Sequence, residues 1–170
     1  MASTAPTIFT RLLPNRLLAL LSALLLAAVL AAIVRGRAHW AEAGTLVWVH
    51  LLTMMVALVL TPLLLLRAKG NRQHRQLGWA WAVLMLVSAA LSLAFRAGHD
   101  GWGVFSGDLS PIHLLSLLVL VQTPRIVLKA RAHDRVGHER AVRALVLGAL
   151  LVAGFFTLPM GRMLGEWLLG

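Results

Sequence analysis

Hydrophobic and polar positions fall into five long apolar runs separated by short charged stretches: 17–34, 45–66, 77–95, 111–121 (continuing less cleanly to 128) and 144–158. A bilayer core about 30 Å thick needs roughly 20 apolar residues per helix. The first three runs meet that length. The last two reach it only with their basic flanks, whose side chains can snorkel toward headgroups. The pattern predicts an all-α integral membrane protein, a single transmembrane domain over 1–170. Its bundle has about five helices, at about 17–34, 45–66, 77–95, 111–128 and 141–160. The connections are short, so consecutive helices are expected as antiparallel neighbours. The first apolar stretch exceeds the usual 7–15 residues of a signal-peptide core, so it is read as an uncleaved anchor.

The same pattern contains a repeat. From His50 the chain reads HLLTMMVALVLTP to Pro62, and from His113 it reads HLLSLLVLVQTP to Pro124, one residue shorter. Each copy runs through a basic loop to another histidine, His74 or His138, just before the next apolar run. The predicted unit is a helical hairpin, helices two and three forming one copy and helices four and five the other. Both copies start on the same side, as in repeats related by an axis along the membrane normal.

Composition changes this picture little. Hydrophobic residues make up 59% of the chain and charged residues 13%, about half the usual charged share of a soluble domain. The net charge of +10 is no signature of nucleic-acid binding, because the basic residues sit in short loops rather than on a folded face. Arg11, Arg16, the 67–75 loop and the 125–143 segment place twelve basic residues on one side. Arg35, Arg37, Arg96 and Arg162 make four on the other. The positive-inside rule then predicts a cytoplasmic N-terminus and an outer C-terminus; a bacterial inner membrane is the expected location. Trp40, Trp48, Trp102 and Trp167 near outer ends, and Trp79 and Trp81 near an inner one, fit an aromatic belt. There is no cysteine, which excludes disulfides and thiolate sites.

The histidines carry the candidate chemistry. An ionisable side chain at membrane depth is by default a functional candidate, and His50 lies a turn inside its helix between Val49 and Leu51. His113 occupies the matching place two residues after Pro111, with Ser110 as expected N-cap. A hydroxyl follows three residues on in each copy, Thr53 or Ser116. The repeat predicts His50 facing His113 and, about 24 Å away by helical rise, His74 facing His138. Two facing pairs form the ligand pattern of diheme membrane cytochromes b, so one or two haem b groups are expected on His50, His113, His74 and His138. Arg72, Arg75 and Arg125 are candidates for the inner propionates. The expected activity is electron transfer within or across the bilayer, with a quinone or membrane redox partner. The histidines lack the tight within-helix spacing of the best-known cytochromes b, which counts more against the inner haem than the outer. A cofactor-free membrane subunit or assembly factor is the rival reading. A divalent-metal or small-solute carrier is the third, using His39, Glu42, His99, Asp100 and Asp108 of the outer loops. No acid lies inside a predicted helix, which argues against a proton- or cation-coupled transporter, and no nucleophile–base set, phosphate loop or HExxH is present. Ser88, Ala89, Ala90, Ser92, Gly148 and Gly154 are expected to allow close helix packing.

The stretches HRQLGWAWAVLMLVSAALSLAFR and SPIHLLSLLVLVQTPRIVLKARAHDRVGHERAVRALVLGALLVAGFFTLPMGR resemble a bacterial family of predicted multi-pass membrane proteins defined only as a domain of unknown function. The resemblance covers roughly 45–165. It rests on His74, Leu77 and Gly78 as a His-x-x-Leu-Gly opening, on His113 and His138, and on an FT-x-x-P-G-R-like ending over 156–162 that here carries Met160 between the proline and the glycine. It implies a membrane bundle and no activity.

Overall fold

The computed structural model describes residues 13–95, 111–158 and 162–170. Every regular element among them is helical. Helix α1 spans Asn15–Arg35 and passes into a 3-10 turn, Gly36–Glu42; α2 spans Thr45–Leu66, α3 Arg72–Ser92 and α4 Pro111–Arg131. Helix α5 starts as Arg135–Leu145, widens into a π-helical stretch at Val146–Val152 and closes with Ala153–Phe155. A short α6, Met163–Leu169, follows. Ser110, Trp102, Arg11, Arg96, His99, Asp100, Asp108 and Met160 lie outside the described residues.

Three stretches, Asn15–Glu42, Thr45–Leu66 and His113–Arg131, are long and apolar enough to cross a membrane. The protein is therefore a helical membrane protein. Helix α3 begins five residues ahead of its apolar run because Asn71 caps it, the side chain accepting from His74 N at 2.7 Å. Its first turns are consequently polar. At α5, Asp134 does the same for Gly137 N at 2.8 Å, after a turn in which His133 adopts φ 58°, a left-handed conformation in which histidine is several-fold enriched.

Packing follows the chain order: α1 against α2, α2 against α3, α3 against α4 and α4 against α5, while the π stretch of α5 returns to α1. The shared core holds Leu18, Ala32, Ala57, Leu58, Met85, Leu145 and Leu150. Two ends are defined by side chains. At the basic end Asn15 Nδ2 donates to the Leu65 carbonyl at 3.4 Å, and Lys69 of the α2–α3 loop pairs with Glu139 of α5 at 2.9 Å. At the tryptophan end Trp40 stands edge-on to Trp48 at 5.6 Å, and Trp48 lies 6.2 Å from Trp167 of α6. Gly36 closes the turn there because a Cβ would enter the Trp167 ring. Helix α6 packs on α1 and the 3-10 turn, so the chain finishes at the end of the bundle opposite to where α1 starts.

Candidate functional site: two histidine clusters

His50 and His113 share Phe95 as a neighbour. The His50 ring stands edge-on to the Phe95 ring at 5.2 Å, and His113 Nε2 lies 2.8 Å from the Phe95 carbonyl. A carbonyl only accepts, so His113 carries its proton on Nε2. His50 Nδ1 is 3.1 Å from both the Ser88 carbonyl and the Ser88 hydroxyl. The carbonyl requires Nδ1–H, which leaves Nε2 as the nitrogen available to a ligand. Ser92 Oγ meets Ser116 Oγ at 2.6 Å beside them. His113, Ser116 and Ser88 are all buried. A polar seam thus joins α2, α3 and α4 near the tryptophan end. Ser88 and Ser92, read from the sequence as small packing residues, are the hydrogen-bond partners of this seam. Their serine hydroxyls on the face of α3 shared with Ala89 were the only signal.

The second cluster sits at the basic end. His138 Nδ1 donates to the Ile126 carbonyl at 3.0 Å, again leaving Nε2. His74 has its Nδ1 buried with no hydrogen-bond partner among the described residues. It precedes the apolar run that starts at Leu77 and so lies outside the spanning stretch. Burial lowers its pKa below the usual 6.5, and the charges of His138 and Lys69 lower it further. The action of His138 on His74 places the two within electrostatic reach of each other, and the lowered pKa favours the neutral imidazole, the form that ligates a metal. Arg72 and Arg75 flank His74 on the first turn of α3, both exposed. Arg125 is also exposed, on α4. Glu139 is held by Lys69 at 2.9 Å and Arg143 at 2.6 Å.

Of the outer-loop metal candidates, the described His39 and Glu42 pair with each other at 2.9 Å; His99, Asp100 and Asp108 lie outside the described residues. Among the described residues no group of three or more His, Cys, Asp or Glu side chains is arranged to hold a metal ion. No family model, no curated protein and no solved structure matches this chain.

Proposed function

We propose that this chain is a b-type haem protein that carries electrons within or across the bilayer, with a haem at the basic end between His74 and His138. The observation that carries the reading is the state of these two imidazoles. His138 is fixed by a backbone carbonyl on one nitrogen and bare on the other, the way a ligating histidine is oriented. Its neighbour His74 has a buried nitrogen without a partner. An unsatisfied polar atom costs about 1–3 kcal/mol, and a metal would satisfy this one. Bound there, a haem supplies one-electron chemistry; the protein binds, orients and shields it. Arg72 and Arg75 supply cations for its propionates. Arg125 fits that role less well, since it lies on the exposed face of α4.

The outer pair is the second candidate haem site. His50 presents Nε2 in the same manner, but His113 must first release the Phe95 carbonyl. The donor set therefore favours the basic end, reversing the order that histidine spacing gave. The reading includes five crossings in two repeated hairpins, a cytoplasmic N-terminus and outer C-terminus in a bacterial inner membrane, kinship with the family of unknown function, and a quinone or membrane redox partner. It is supported by the short connections, by the charge bias and by an α6 that lies opposite the start of α1.

The rival, a cofactor-free membrane subunit or assembly factor, is favoured by one observation: His50 bonds to Ser88 and Ser92 to Ser116 across helices, as polar side chains do when they hold a bundle together. Colour decides. Purified in mild detergent after expression with ample haem, the protein is expected to be red, with a Soret band that sharpens on dithionite reduction. His74→Ala and His138→Ala should each abolish the same haem without additive effect. His39→Ala should change nothing. A colourless protein overturns the haem reading.

A further inference from the structure

Arg125 is out of place for a loop cation. It lies six residues before the end of α4 at Arg131, about 9 Å along the helix axis. Leu114, Leu117, Leu118, Val121 and Leu128 are the exposed apolar residues of α4. Their spacing makes one stripe at helical period, and Arg125 falls inside it, four residues after Val121 and three before Leu128. The next residue, Ile126, is buried. In a membrane such a stripe faces lipid, so this guanidinium emerges among acyl chains. In the other copy of the repeat the residue after the proline is Leu63, exposed and apolar as that position demands. The acids at this end are already engaged: Glu139 by Lys69 and Arg143, Asp134 by Lys129 at 3.1 Å.

We propose that Arg125 binds the headgroup phosphate of an anionic phospholipid in the leaflet at the basic end. A charge at that depth is costly unless the side chain extends toward the headgroups. There a planar guanidinium meets phosphate oxygens through two parallel N–H donors. The lipid-facing stripe makes the source a membrane lipid rather than a free anion. The site does not depend on haem.

Native mass spectrometry of the full chain tests it. The protein, delipidated in mild detergent, is offered equimolar phosphatidylglycerol and phosphatidylcholine. Wild type should retain the anionic lipid preferentially. Arg125→Gln should cut that preference about fivefold, the worth of one basic residue at an anionic membrane surface. Arg125→Lys, which keeps the charge and loses the paired donors, should fall between them and decides the matter if the glutamine variant does not fold. Arg131→Gln, beyond the stripe, should leave the preference unchanged. No preference in wild type, an unchanged preference in Arg125→Gln, or displacement of the lipid by equimolar soluble glycerol phosphate overturns the proposal.

Discussion

In the α2–α3 pair the buried Thr61 hydroxyl receives a hydrogen bond from the Trp81 indole at 3.0 Å and donates to the Ala57 carbonyl at 2.7 Å. At the matching place in the α4–α5 pair, Thr123 is equally buried and its hydroxyl has no partner among the described residues. Trp81 follows His74 by seven residues, and the residue seven after His138 is Leu145, buried but unable to donate. One residue later α5 leaves α-helical geometry for the π stretch. A second bond, from His50 to Ser88, joins α2 to α3 near the other end. Helix α5 is tied to α4 by the His138–Ile126 bond and packs on both α4 and α1. Two helix pairs whose sequences share a histidine, a hydroxyl and a Thr-Pro thus use the threonine differently: it is bonded to the facing helix in the first, while in the second the tie between the helices is the His138–Ile126 bond and α5 packs against two neighbours. Motifs shared by the two sequences set where polar atoms lie; the residue across the seam decides whether those atoms are used.

The sharpest way to break this comparison is to remove both hydroxyls at constant shape. Thr61→Val leaves the buried Trp81 N–H unpaired and is expected to cost about 1–3 kcal/mol. Thr123→Val deletes a group that makes no bond and should be neutral or stabilising by up to about 1 kcal/mol. Thermal unfolding in detergent, followed by tryptophan fluorescence, reads the two signs. Equal losses in both variants would mean that the copies are held alike.

Two glycines sharpen it further. Gly78, on α3, has open space where a Cβ would stand, whereas at Gly154 on α5 a Cβ would come 2.5 Å from Leu25 Cδ2 on α1. Gly78→Ala is therefore expected to stabilise by about 0.5–1 kcal/mol through helix propensity. Gly154→Ala should destabilise by about 1 kcal/mol as the leucine turns aside. The same melts test this pair. A gain at Gly154 would remove the argument that α5 relies on close contact with α1.

The sequence made some of this legible and hid the rest for physical reasons. Helical character was readable because apolar runs of this length leave the backbone no other way to satisfy its hydrogen bonds in lipid. The polar start of α3 was not read, because an Asn71 cap extends a helix outward through residues that look like loop. The π stretch was invisible, since VLGALLV contains nothing that separates i+4 from i+5 bonding. For the site, the histidines were found by type and repeat, while their state was not. Which nitrogen of His138 is bare depends on the Ile126 carbonyl, and what His113 spends its Nε2 on depends on Phe95; backbone atoms leave no mark in a pattern of side chains.

The smallest expected effect concerns the bond between the two copies. Lys69 lies in the α2–α3 turn and Glu139 near the start of α5, and their ion pair with Arg143 ties the two together at the basic end. Burial by itself would raise the Glu139 pKa, but the Lys69 hydrogen bond and the Lys69 and Arg143 charges outweigh it and hold the carboxyl below the usual 4.5. A carboxylate whose pKa is depressed by folding adds stability above its unfolded pKa and loses it as pH falls through the folded value. Glu139→Gln should accordingly melt slightly below wild type at pH 7, by no more than about 1 kcal/mol because the pair is partly exposed. The gap should begin to narrow as pH falls below the usual 4.5 and close only below the lowered folded value, where the wild-type carboxyl is itself protonated. His74 acts in the same direction at higher pH: its lowered pKa makes both proteins less stable as pH drops below 6.5. That change is common to wild type and variant and cancels in the difference between them. If the gap stays constant as the pH is taken down through the titration of the wild-type carboxyl, the carboxylate charge contributes nothing, and the α2–α3 turn and α5 are held together at this end by packing alone.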